Sequence, residues 1–160
     1  MKVYSGTRVL YRDGMTHGEA SVVVQNVVDG GPSDRRPLTH APYHSPDGFE
    51  WGYAGSGPAD LALALLADYF DEPPEFVLAA LRSIWTPRSK AAALHQSFKE
   101  RFVATERRDE WQLHSDAIEA WLQTPAIRTR LAELAQEEDE LAEIRRLEEE
   151  AERADADAAD

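Results

Sequence analysis

HSPDGFEWGYAGSGPADLALALLADYF, His44 to Phe70, decides how the rest of the chain is read. Gly48, Gly52, Gly55 and Gly57 fall within ten residues, among Phe49, Glu50, Trp51, Tyr53 and Ser56. Glycine at that density allows positive φ or close approach of the backbone to another group. Gly57-Pro58-Ala59-Asp60 then reads as a helix start, with Ser56 or Gly57 at the N-cap, Pro58 at the first helical position and Asp60 in the first turn. Leu61, Leu65, Leu66 and Tyr69 recur at helical spacing, and Leu63 with three alanines fills the other faces. A helix apolar nearly all round belongs at the centre of a fold.

Working back from this helix, Val3 to Arg12 alternates as a strand, placing Tyr4, Gly6, Arg8, Leu10 and Arg12 on one face. Asp13-Gly14 opens a loop that runs through His17 and Gly18, and the valine-rich Ala20 to Val28 is a second, inner strand antiparallel to the first. Asp29-Gly30-Gly31-Pro32 is a turn. Leu38 to Tyr43 is a short edge strand, limited by Pro37 and Pro42, and Phe49 to Tyr53 is a strand or an extended loop on the sheet.

Working forward, Asp71-Glu72-Pro73-Pro74 ends the central helix, and Glu75 to Trp85 forms another with Phe76, Leu78 or Ala79, and Ile84 turned inward. Ser89 caps a helix from Lys90 to about Arg107 that buries Leu94, Phe98 and Phe102. Trp111-Gln112-Leu113 crosses a loop, and Ser115-Asp116 caps a short helix with Ile118, Trp121 and Leu122 inward. Strands first and helices after make an α+β pattern: a small antiparallel N-terminal sheet against a C-terminal helical layer. Residues 1–125 form the compact domain, and 126–160 an acidic, largely helical tail that frays at its end. Its stripe of Leu131, Leu134, Leu141, Ile144 and Leu147 is interrupted by Glu138, which argues against a sustained coiled coil.

Net charge is −13, unevenly spread. From Ala126 onward thirteen Asp/Glu face five Arg, giving −8, and the first 125 residues hold seventeen against twelve, giving −5. Direct binding to nucleic-acid phosphates is disfavoured, because it needs Lys and Arg to displace counterions. The chain has no cysteine, its N-terminus carries charges where a signal peptide needs an apolar core, and no apolar run has the length of a membrane span. A cytoplasmic protein is expected.

Three readings of the glycine loop follow. An anion site would use the N–H groups at the helix N-terminus, but the spacing matches neither a Walker loop nor a dinucleotide fingerprint. Asp60 also occupies the first turn, and no Lys or Arg lies between Pro37 and Leu81. A small polar ligand held by His44, Glu50, Trp51 and Tyr53 is the second reading. The third is a structural turn whose aromatic residues are core.

Catalytic sets are incomplete. His40 and His44 with Glu50 have the residue types of a two-histidine, one-carboxylate metal site, yet Pro42 breaks the helix such spacing implies, and no metal is expected. Ser45 beside His44 lacks a nucleophile elbow and is followed by Pro46. Glu50 is a general acid or base if buried, and more simply the ion-pair partner of Arg8.

Tyr4-x-Gly6-x-Arg8, the string HSPDGFEWGYAGSGPADLA, Phe98-Lys99-x-x-Phe102-Val103-Ala104, Trp111-x-Leu113 and Ile118-x-x-Trp121-Leu122 together resemble an uncharacterised domain family of bacteria, their phages and other mobile elements. The resemblance spans Tyr4 to Leu122. Ala54 stands where that family has glycine, and the segment from Asp71 to about Lys90 is longer than usual. The resemblance implies no activity, substrate or cofactor.

The residues therefore point to a small accessory protein that binds a protein partner or a small polar ligand at the 44–60 loop. Its candidate contacts are Arg8, His44, Ser45, Glu50, Trp51, Tyr53, Ser56, Gly57 and Asp60. An enzyme acting on a nucleotide or other phosphorylated metabolite, and an acidic mimic of nucleic acid from a mobile element, are the alternatives.

Overall fold

A computed structural model of the chain describes residues 1–10, 17–27 and 34–158. It is an α+β fold. Strand β1 (Lys2–Leu10) pairs antiparallel with β2 (His17–Asn26), which pairs with the short β3 (Asp34–Pro37). Then come α1 (Ser56–Tyr69), α2 (Pro74–Arg82) and α3 (Lys90–Phe98), which continues as a π-helical turn (Lys99–Val103). Strand β4 (Glu110–His114) returns to the sheet beside β1, and α4 (Ser115–Leu122) and α5 (Pro125–Ala158) end the chain. The sheet order is β3-β2-β1-β4.

The register explains which side chains face the helices. Tyr4 lies opposite Val24 and Leu113, and Gly6 opposite Val22 and Trp111, so these residues share the inner face. Ser5, opposite Val23 and Gln112, lies on the outer face. Gly6 is needed where it is, since a Cβ there would come within 2.2 Å of the Trp111 indole. Helix α1 is buried from Gly57 to Ala67, as its composition requires, and packs chiefly against α3. Asp68 near its end ties sheet to helix: it accepts from the Tyr4 hydroxyl at 3.0 Å and pairs with Arg36 and Lys2. Burial, with the Asp68 carboxylate adding to it, pushes the Tyr4 hydroxyl far above the usual phenol range.

Several expectations are corrected. The third strand ends at Pro37 instead of starting after it, because the residues before a proline favour extended backbone; beyond it Leu38 donates to the Val22 carbonyl at 2.9 Å, and Leu38 and Ala41 are buried in the core. His17 and Gly18 belong to β2, not to a loop. Trp111-Gln112-Leu113 is strand, not loop, and gives the sheet its fourth member. Of the two readings of Phe49 to Tyr53, the loop holds, since the segment forms no strand. Helix α2 stops at Arg82, so Ile84 is 67 % exposed and Val77 is the fully buried residue. The helix from Lys90 stays α-helical only to Phe98, though Leu94 and Phe98 are buried as expected. The loop at Asp13-Gly14 and the turn at Asp29-Gly30-Gly31-Pro32 lie outside the described residues.

Ser89 caps α3, accepting from the Ala92 amide at 2.9 Å. Its hydroxyl donates to Glu72, whose carboxylate also accepts from the amides of Lys90 and Ala91. Helix α5, 34 residues and about 51 Å long, buries Ile127, Leu134 and Leu141 at seven-residue spacing. Glu138 accepts from the Arg88 amide at 2.6 Å, and Arg145 donates to the Trp85 carbonyl at 2.9 Å. Among the described residues no helix is long and apolar enough to cross a membrane.

Candidate functional site

The glycine-rich loop divides into two halves of different character. The upstream half is organised by Asp60, which is fully buried one turn into α1. Its carboxylate accepts from the backbone amides of Tyr43 (3.2 Å), His44 (2.8 Å) and Ser45 (2.9 Å), and from His40 Nε2 at 3.1 Å. Three consecutive amides and an imidazole thus satisfy the buried acid, which is what keeps it inside the protein. The carboxylate that would repel a phosphate is itself the anion this loop binds.

His44 continues inward. Its Nε2 lies 3.0 Å from His95 Nε2, while His95 Nδ1 lies 2.7 Å from the Ala92 carbonyl. An Nδ1 that bonds a carbonyl carries its proton, so in the neutral ring His95 Nε2 is the acceptor, faced by both His44 Nε2 and the Gln96 side-chain amide at 2.9 Å. Burial, ahead of all other influences, holds the His95 pKa below its ordinary range. His40 and His44 are thereby drawn to different partners. Among the described residues no cluster of three or more His, Cys, Asp or Glu is arranged to hold a metal.

The downstream half is built on Arg8. This side chain, only 8 % exposed, donates through Nη2 to Glu50 at 2.8 Å and to the Trp51 carbonyl at 2.9 Å, and through Nη1 to Asp109 at 3.4 Å. Its guanidinium lies 4.3 Å from the centre of the Trp51 ring, a cation–π contact. The ion pair between Arg8 and Glu50 forms as the residue types suggest. Trp51 is a buried wall, its Nε1 donating to the Arg108 carbonyl at 2.8 Å and its ring edge-to-face with Trp111.

Beyond Trp51 the chain turns at Gly52 with φ of +87°, and a Cβ there would meet the Glu106 carbonyl at 2.8 Å. The Gly52 amide donates to the Val103 carbonyl at 3.0 Å, and Arg107 donates to the Gly52 carbonyl. Between these segments opens a recess of ≈ 440 Å³, lined by Arg8, Glu50, Trp51, Gly52, Tyr53, Glu106 and Arg107. Tyr53 is 49 % exposed at its edge. The Nε of Arg8 is buried and has no hydrogen-bond partner among the described residues.

Of the nine candidate residues, Arg8, Glu50, Trp51 and Tyr53 meet at this recess. His44, Ser45 and Asp60 gather in the closed upstream cluster, so Arg8, Glu50 and His44 do not share one wall. Ser56 is exposed at the start of α1, and Gly57 is buried against Glu50. Glu106, Arg107 and His95 were not singled out from the sequence. The charged run from Glu106 to Glu110 is the one local signal for the first two, because it immediately precedes the Trp111 motif.

No curated protein and no solved structure matched the chain. Residues 4–75, which carry β1, β2, β3, the glycine loop and α1, match the family model described as a family of unknown function (DUF6166).

Proposed function

We propose that this protein is a cytoplasmic binding module that takes a small polar ligand in the recess between the Glu50–Tyr53 segment and the Glu106–Arg107 turn. The observation that carries the reading is the convergence of Arg8, Glu50, Trp51 and Tyr53 with Arg107 around ≈ 440 Å³. Pockets of this size, with an aromatic wall and a few converging polar groups, suit small molecules.

A thermal-shift screen against a panel of polar metabolites tests this on the wild type and on Tyr53→Ala and Arg107→Ala, both exposed positions. A ligand at about 100 times its Kd adds about 2.7 kcal/mol of stability, which is roughly 5–10 °C for a chain of this size. The expected result is such a shift in the wild type, reduced in both variants. A panel with no compound whose shift depends on Tyr53 or Arg107 contradicts the proposal.

A protein partner at the same loop is the second reading. It is favoured by Tyr43 and Tyr53, which are 42 % and 49 % exposed, since tyrosine is enriched at interfaces. Loss of a captured partner in Tyr43→Ser, with ligand shifts unchanged, separates this reading from the first.

A further inference from the structure

Where α2 ends, the chain puts two large apolar side chains into solvent. Ser83 turns it out of the helix, and the adjacent Ile84 and Trp85 are 67 % and 64 % exposed. Single exposed apolar residues are ordinary on a protein surface, whereas a neighbouring pair this far out marks a place where something binds. The pair is also held in position. The Trp85 carbonyl accepts from Arg145 of α5 at 2.9 Å, and the nearby Arg88 amide donates to Glu138 of the same helix. Ile84 and Trp85 therefore stand on a loop tied to α5 at two points.

Helix α5 gives the pair an acidic flank. Leu141 is its last buried residue among the described ones. Arg145, Glu148 and Glu152 follow Leu141 by four, seven and eleven residues, so all lie on one side of the helix, the side that meets Trp85 through Arg145. Ile144, 42 % exposed, borders that side. The two nearest cations are already committed, Arg145 to the Trp85 carbonyl and Arg146 to Glu143 and Glu150. Glu148, Glu149 and Glu152 are exposed and have no ion pair among the described residues. An apolar pair thus sits beside three carboxylates that nothing on the chain neutralises.

We propose that Ile84, Trp85 and the adjoining side of α5 form a docking surface for a protein partner, one that presents a short segment pairing apolar side chains with Lys or Arg. Its apolar side chains cover Ile84 and Trp85, and its cations meet Glu148, Glu149 and Glu152. Tryptophan is among the residue types that most often anchor an interface, and opposite charge sets the register and speeds the encounter. The same charge decides against other occupants. A second copy would bring one tail of −8, counted from Ala126 onward, against another, and nucleic-acid phosphates are repelled in the same way. Trp85 offers on the order of 100–150 Å², so the contact is small and of the transient kind. This surface shares no residue with the recess, and either can fail without the other.

The test is selection of random 16-residue peptides displayed on phage against the immobilised full chain, followed by titration of the enriched peptides by fluorescence anisotropy. The expected result is an enriched set that combines Lys or Arg with aliphatic or aromatic residues. Its binding weakens by about tenfold or more in Trp85→Ser, the loss of an interface anchor. It also weakens several-fold in the triple variant Glu148→Gln, Glu149→Gln, Glu152→Gln, and several-fold at high salt, which screens exposed charges. All four positions are exposed, and an unchanged melting curve shows that the variants keep the fold. Tyr53→Ala binds the same peptides as the wild type does. The proposal is overturned if no peptide is enriched, if the enriched peptides lack basic residues, or if they bind Trp85→Ser or the triple variant as tightly as the wild type. A dimer in sedimentation that Trp85→Ser dissolves also overturns it, by giving the surface to a second copy of the chain.

Discussion

The two halves of the glycine loop are similar in composition and opposite in outcome. Upstream, the amides of Tyr43, His44 and Ser45 close on the Asp60 carboxylate inside the protein. Downstream, Glu50 to Tyr53 runs over Arg8 and leaves a recess open against Glu106 and Arg107. The difference comes from the element behind each half. An acceptor fixed on the buried helix consumes the first set of donors, whereas the second rests on an arginine that also lines the opening. Polar residues beside glycines thus mark a site only where the scaffold does not satisfy them first.

The sharpest way to break this comparison is Asp60→Ala. It leaves three amides and His40 without their acceptor in the interior, and we expect a loss of about 3–5 kcal/mol, the scale for stranding buried partners of a charged group. Urea unfolding measures it, and a loss below about 1 kcal/mol contradicts the role given to Asp60. Gly52→Ala tests the other half. Positive φ costs a residue with Cβ about 1–2 kcal/mol, and the approach to the Glu106 carbonyl adds to that. The fold survives while the recess shifts, so ligand-induced stabilisation falls by more than the melting temperature of the free protein suggests.

A gentler probe is pH. Burial lowers the folded-state pKa of His95, and the charges of His44 and Lys99 act in the same direction, against the Ala92 carbonyl and Asp60. The unfolded chain therefore binds more protons below its ordinary value of about 6.5, and stability is lost as pH falls from neutrality through that value. His95→Gln flattens the profile of urea midpoint against pH between about 7.5 and 5.5. An unchanged slope shows that another group governs it. The smallest effect is expected from deleting residues 147–160, which lie beyond the buried Ile127, Leu134 and Leu141. The melting curve changes by no more than about 0.5 kcal/mol, and recess binding is retained. Loss of binding on truncation brings the acidic tail into the function.

Legibility followed the strength of local pattern. Helix α1 announced itself by an apolar run behind Gly57-Pro58, and β1 by alternation. Strand β4 did not, because five residues between charged segments give two alternations at most, and its pairing depends on distant β1. Ile84 was misread because Ser83 turns the chain out of the helix, an event that no periodicity encodes. For the site, the residue types at Arg8 and Glu50 suggested their ion pair directly. The opposing wall, Glu106 and Arg107, is brought there only by the return of the chain from the π-helical turn to β4. His95 was missed because it stands in α3 and its partner His44 is 51 residues away.

The central claim, that recognition belongs to the downstream half, is tested most directly by amide chemical-shift mapping of the full chain with a mixture of polar metabolites. The account predicts saturable shifts at Gly52, Tyr53, Glu106 and Arg107, with Tyr43, His44 and Ser45 unmoved. Shifts confined to residues 43–45, or none along 50–53 and 106–107, contradict it.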